Sequence, residues 1–194
     1  LPSPTRGLHY YLYMIMDVWS RKIVGYEVHE SETGELAAEL FARTALAERY
    51  HGDGLVIHAD NGAPQRSSTL RVKLDQLGLR TSFNRPRVSN DNAYAESLFR
   101  NAKYRHDFPI EGFSSLEEAR VWVLKFVRWY NTEHRHSAIN FVTPNQRHAG
   151  EDDLILAARK NVYQAAKERN PTRWSGETRN WNKPGAVWLN PERE

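Results

Sequence analysis

Residues 55–63 read LVIHADNGA: an apolar, β-branched run that stops at an acid and then turns at Asn61-Gly62. Leu55 to His58 is apolar on both faces, which predicts a strand in the middle of a sheet. A buried strand that delivers the charged Asp60 to its C-terminal tip calls for a partner for that carboxylate. In open α/β sheets this end of a strand is where ligands sit.

The rest of the chain sets the frame for that strand. With 194 residues there is room for one domain with a true core and an appendage. Hydrophobic residues make up 40% and charged residues 26%, as in ordinary globular proteins, and no apolar run approaches the roughly 20 residues of a membrane span. There is no cysteine, so disulfides and thiolate metal sites are excluded, and a reducing cytosol is compatible. The start, LPSPTRG, has neither a signal-peptide pattern nor an initiator Met, and the expectation is of a chain that begins partway into a longer one. A net charge of +3 permits a nucleic-acid partner without requiring one. Its distribution is more telling: Asn84 to Arg105 holds five Lys/Arg against two acids.

Residues 9–18 and 22–29 are rich in aromatic and β-branched types and are separated by a link short enough for an antiparallel hairpin. Ala37, Leu40, Phe41 and Thr44 fall at helical spacing within 33–50, and Leu70, Leu74 and Leu77 mark a second helix that ends at Gly78. LRTSF, residues 79–83, is a further strand running into Pro86. A helix from about Asn90 to Tyr104 follows, with Ser89, Asn90 and Asp91 as N-cap candidates. Ser114/Glu117 and Ser115/Glu118 both fit a capping box ahead of a long amphipathic helix on which Trp122, Phe126 and Tyr130 are core positions. Thr143-Pro144 starts a short helix, 152–168 is another, and 170–194 is an irregular tail whose Trp174, Trp181 and Trp188 are expected to dock it onto the domain or a second subunit. The alternation of β and α units predicts an α/β sheet covered by helices, with a core over 1–150 and a tail over 151–194.

Two-metal chemistry on phosphodiesters needs acids gathered from distant parts of the chain, because each Mg²⁺ takes oxygen ligands and keeps some waters. Glu96 opens the helix after the next strand, so one βαβ excursion returns it to the edge that carries Asp60. An Asp before Asn-Gly also serves simply as a turn residue, and a Glu early in a helix as a partner of the helix dipole; spacing leaves both readings open.

HADNGA at 58–63, followed by Glu96 of RPRVSNDNAYAESLFRNAKYR with 35 residues between the two acids, resembles the second and third acids of the D,D-35-E transposases and retroviral integrases. DVWSRKIVGYEV (17–28), FVRWYNTEHRHSAINFVTP (126–144) and WSGETRNWNKPGAVWLNPE (174–192) look like the IS3 family of insertion-sequence transposases. The resemblance spans almost the whole chain. It implies a ribonuclease-H-like mixed sheet flanked by helices, two divalent ions (Mg²⁺ or Mn²⁺), and transposition of DNA in a bacterial cytoplasm. It also implies insertion-sequence ends and target DNA as partners, a homo-oligomer, a separate N-terminal DNA-recognition domain, and no membrane. The alternative is a catalytically incomplete DNA-binding or assembly fragment of a transposase; the two acids alone also suit a cellular ribonuclease H or a junction nuclease.

One departure bears on activity. In the family the first catalytic Asp lies on a strand just before the counterpart of LPSPTRG, so the first acid and most of the first strand are expected to be missing here. Asp17 is expected to be structural, capping its turn or pairing with Arg21 or Lys22. That leaves Asp60 and Glu96 as the catalytic and metal-binding residues. The first strand lies between the second and fourth in this fold, and its absence predicts a gap that is filled by other polypeptide or left as altered packing.

Asn92, Arg100 and Lys103 lie at i−4, i+4 and i+7 from Glu96, a face that the resemblance assigns to DNA and that otherwise reads as a surface ion-pair face. Arg85 and Arg87 flank Pro86 and are candidates to clamp a DNA backbone. His58 and Asn61 are candidates to order the acid, with simple packing an equal reading for the histidine. His134 and His136 lack the further ligands a zinc site needs and are read as polar loop residues near DNA.

Overall fold

A computed structural model describes residues 1–50, 54–60, 62, 67–85 and 89–189. The chain divides into two compact units, one of Leu1–Met16 and Ile23–Phe126 with the chain from Trp188, the other of Asp17–Lys22 and Val127–Val187.

In the first unit β1 (Tyr11–Met16) and β2 (Ile23–His29) form the expected antiparallel hairpin, in register from Tyr11↔His29 to Ile15↔Gly25 with an irregularity at Met16. Thr33 caps α1 (Gly34–Ala47), its hydroxyl accepting from the Leu36 N–H. β3 (Val56–Ala59) pairs in parallel with β4 (Arg80–Phe83) through the crossover helix α2 (Ser68–Gln76), as a parallel pair requires. Ala37 and Ala38 of α1 let Leu70 and Leu74 of α2 approach closely, and with Leu79 they form a buried cluster against which Tyr13 and Ile57 pack.

The four strands do not join into one sheet. They form two ribbons, β1-β2 and β3-β4. The expected central position of β3 is corrected: it is bonded on one edge only among the described residues, and its Val56 is 44% exposed. Between the free edges lies a cavity of about 200 Å³, lined by Tyr11–Ile15 of β1 and Ile57–Ala59 of β3, floored by Leu40 and Leu74, with Ala95 and Phe99 contributing to another wall. Among the described residues the two edges that face this cavity, one of β1 and one of β3, carry no strand partner.

A single 3₁₀ turn, Ser89–Asn92, leads into α3 (Ala93–Lys103). α4 (Leu116–Thr132) starts as the capping-box pattern predicts, with Ser115 Oγ accepting from the Glu118 N–H at 3.1 Å. The Glu118 carboxylate reaches one residue further back, to the Ser114 N–H at 2.7 Å. The Ser114 hydroxyl, which also donates to this carboxylate, and then the Ser114 N–H hold the Glu118 carboxyl below its usual range. Trp122 and Phe126 stack in the core 5.5 Å apart, with Phe108 and Phe113 edge-on to Trp122. The left-handed Gly112 (φ +94°) lies against Ser3 and Pro4, where an added Cβ would come within 2.6 Å of backbone.

In the second unit Asp17 caps its turn, accepting from the N–H groups of Trp19 and Ser20 and from the Ser20 hydroxyl; its side chain lies 3.3 Å from His148 Nδ1 rather than pairing with Arg21 or Lys22. α5 (Pro144–His148) has a full capping box between Thr143 and Gln146. α6 (Asp152–Arg169) follows, and Leu156, Ile139, Val142 and Trp181 form the core. Arg147 is wholly buried. It donates to the Trp19 and Pro184 carbonyls at 2.8 and 2.9 Å, pairs with Asp152, and lies 4.4 Å from the centre of the Trp19 ring. Lys183 closes the same network onto Asp152 and Asp153. Of the three tail tryptophans, Trp181 is buried and Trp174 packs on Tyr163, whereas the Trp188 ring is 70% exposed in the single chain.

His134 and His136 are half-buried in this unit, against Trp129 and Tyr130, and are not free loop groups. Tyr130 is itself buried enough to push its phenol up to about 12. Burial, the nearby Arg21 and His134 push His136 down to about 4, and its Nδ1 accepts from the Ala138 N–H, which needs the neutral ring.

Two outcomes follow from this packing. Gly112→Ala combines left-handed strain with a backbone clash and is expected to cost about 2 kcal/mol or more in urea unfolding; an unchanged midpoint would contradict the packing. His136 binds a proton more readily when unfolded (ordinary value 6.5) than when folded (about 4), so its contribution is complete above pH 6.5 and lost as pH falls towards 4. His136→Asn keeps the cap acceptor and should remove on the order of 2 kcal/mol of the stability lost over that window, read as the difference between the two proteins' pH–stability curves.

Candidate active site

Asp60 follows the last residue of β3 and is exposed, with its Oδ1 accepting from the Gly62 N–H at 3.0 Å. Among the described residues this is the one hydrogen bond of the carboxylate, the pattern of an Asx turn. Because β3 and β4 are in register from Val56↔Arg80 to Ala59↔Phe83, Asp60 and Asn84 leave the ribbon at the same level, joined by a bond from the Asn84 N–H to the Ala59 carbonyl.

Glu96 lies in the first turn of α3 and is exposed. Asp60 lines the inter-ribbon cavity together with Asn92, Ala95 and Phe99, so the N-terminal part of α3 and the end of β3 border one space. Glu96 itself is not among the lining residues; it directly follows Ala95, which is. Asn92, expected within the helix at i−4, occupies the N-cap position and makes no side-chain cap bond.

Behind the acids is a polar network that sequence reasoning met only in part. The His58 ring is 3.1 Å from Ser82 Oγ through Nδ1, and its Nε2 is 2.9 Å from Asn84 Oδ1 and 2.8 Å from the Asp91 carbonyl. The ring thus reaches Ser82 of β4, Asn84 just after it and the turn that leads into α3, rather than Asp60. Asp91, an N-cap candidate by sequence, is instead buried: its carboxylate accepts from the Arg85 backbone N–H at 2.7 Å and from the guanidinium at 3.1 and 2.9 Å. Arg85 holds that carboxyl below the usual range. Arg85, a candidate for DNA, thus spends its fork within the protein, although its side chain is 58% exposed. The only sequence signal for this clasp is an acid six residues after an Arg.

Arg100 and Lys103 are exposed on α3, and the Arg100 guanidinium lies 5.8 Å from the Tyr104 ring centre. Arg87 and Asn61 lie outside the described residues. Among the described residues no three His, Cys, Asp or Glu side chains form a group able to hold a metal ion. Asp60 and Glu96 supply the hard oxygen donors that Mg²⁺ or Mn²⁺ prefers, and as a pair they make only part of a ligand set.

Comparison with known proteins agrees with this layout. Two family models, both described as Integrase core domain, match residues 1–89 and 77–144. The transposase for insertion sequence element IS904 of Lactococcus lactis is 31% identical over 142 residues, which cover 73% of this chain and 55% of that protein. Transposase InsF for insertion sequence IS3A of Escherichia coli is 30% identical over 139 residues, covering 70% and 47%. The chain therefore spans about half the length of these relatives. Among solved structures, the catalytic core domain of BIV integrase superposes with a TM-score of 0.54 at 17% identity, over 74% of this chain and 88% of that one. A chain of the simian T-cell lymphotropic virus intasome gives 0.51 at 15%, over 73% and 49%. At such identities the likeness establishes the fold, which is the ribonuclease-H-like fold of integrase catalytic cores. With matched integrase-core models running from residue 1 to 144 and transposases of the IS3 type as its sequence relatives, the chain belongs to the integrase-core family of insertion-sequence transposases.

Proposed function

We propose that this chain is the catalytic core of an IS3-type transposase, which cuts DNA phosphodiesters at insertion-sequence ends and joins the freed 3′ hydroxyl to a target strand. The observation that carries the reading is Asp60 at the tip of β3, bordering one cavity with the start of the helix that bears Glu96. Residues 1–150 are read as the core and 151–194 as its tail.

Asp60 and Glu96 would hold the divalent ions, Mg²⁺ or Mn²⁺, which when bound supply activation of the attacking oxygen and stabilisation of the leaving one. The protein's own part is to fix the two carboxylates and to guide the DNA backbone along α3 with Arg100 and Lys103. The gap between β1 and β3 supports a further step: the third acid reaches the site on an extended segment lying between these strands, from polypeptide outside residues 1–194. Partners are then the element's DNA ends and target DNA, a second copy of the protein, and a separate N-terminal domain that reads sequence. No helix among the described residues is long and apolar enough to cross a membrane. The reading as an insertion-sequence transposase puts its work on DNA in the bacterial cytoplasm.

The second reading is a catalytically incomplete DNA-binding or assembly fragment of a transposase. A nicking assay on duplex oligonucleotides in Mg²⁺ separates the two. Cleavage that Asp60→Asn and Glu96→Gln each abolish supports the enzyme; salt-sensitive binding with no cleavage supports the fragment. In either case Arg100→Ala with Lys103→Ala is expected to lower the slope of log K against log salt by about 2, since two phosphate contacts are lost. An unchanged slope would remove α3 from the DNA interface.

A further inference from the structure

We propose that His58 is a positioning residue that acts on Glu96: it pins the start of α3 to the β3-β4 ribbon and so sets the spacing between the two acids. This rests on the reading of Asp60 and Glu96 as metal ligands.

A backbone carbonyl only accepts, so the 2.8 Å contact to Asp91 makes Nε2 the donor. In the neutral ring Nδ1 then accepts from the Ser82 hydroxyl. Ser82 is the direct cross-strand partner of His58 in the parallel ribbon, so the ring is held at one end by the sheet and reaches with the other to the residue before Asn92. Arg85 grips the Asp91 carboxylate with three bonds, its backbone N–H and Nε donating to one oxygen and Nη2 to the other. Asp91 is therefore held by its carbonyl from β3 and by its carboxylate from the loop after β4.

α3 needs such an anchor because it lacks the usual one: Asn92 stands at the N-cap with no side-chain bond to the first turn. From Asp91 to Glu96 is five residues, about 7.5 Å of helical rise, short enough that a shift of the anchored end moves Glu96 with it. Metal ligands tolerate errors of only about 0.2 Å in distance. His58 thus does for the helix what a side-chain cap would do, and does it from the strand that carries Asp60.

The test is Mn²⁺ affinity of the whole chain, followed by the loss of the free-ion electron-spin signal, in a double-mutant cycle. Asp60→Asn and Glu96→Gln should each weaken binding. His58→Ala should weaken it about tenfold, as outer groups behind metal ligands do. His58→Gln, whose amide can still donate to the Asp91 carbonyl, should restore most of the affinity, whereas His58→Asn, too short to reach, should not. In the Glu96→Gln background His58→Ala should have no further effect, because the residue it places has ceased to be a ligand. Wild-type affinity in His58→Ala, full additivity with Glu96→Gln, or equal loss in the Gln and Asn variants with spectra of folded protein would overturn the positioning role. Mn²⁺ binding untouched by Asp60→Asn and Glu96→Gln would instead overturn the metal reading itself, and this inference with it.

Discussion

The parallel pairing of Val56–Ala59 with Arg80–Phe83 is the constraint on which the site depends. It brings the residue after one strand level with the residue after the other, and everything that follows β4 is then held to β3: Asn84 by its backbone N–H, Asn84 and Asp91 through His58, and Asp91 again through Arg85. A register slip of one residue would turn His58 to the opposite face of the ribbon and break the whole chain of contacts. Parallel pairs are evenly bonded but need a crossover, and α2 supplies it while burying Leu70 and Leu74 against α1. The same helix thus closes the connection and builds the core beneath it.

The second constraint is the obligation of backbone groups to find partners. Among the described residues β1 is paired by β2 on one side and β3 by β4 on one side, and the facing edges border a cavity lined by apolar side chains from three strands and three helices. Such a space is costly to leave dry and is a ready template for an added strand, whose N–H and C=O groups would pair on both sides at once.

Much of this was legible in the residues, and the failures are instructive. Helices α1, α2, α4, α5 and α6 follow from apolar spacing and cap chemistry, both local properties; the Thr143/Gln146 capping box is present as written in TPNQ. β3 was misjudged as central because apolar residues on both faces signal burial, and burial in a sheet depends on a neighbour that a strand cannot specify by itself. Asp91 was taken for a cap since Asp beside Ser and Asn at a helix start is a local signal; a long-range competitor, Arg85 with its fork, won it. Arg147 and Asp152 form a wholly buried pair inside a stretch that reads as polar surface, and nothing in their spacing distinguishes them from exposed ion pairs. Of the candidate site, Asp60 and Glu96 stand out by motif and spacing, whereas the clasp of His58 and Arg85 on Asp91 depends on strands in register and is invisible in the sequence.

The claim that Asp60 and Glu96 serve one metal cluster is most directly tested by paramagnetic broadening of backbone amide signals in the isotope-labelled chain at low Mn²⁺. The account predicts that Asp60, Gly62 and the Ala95–Ser97 amides broaden together and first. Broadening confined to one of the two segments, or centred on the acids around Asp152 and Asp153, would contradict it.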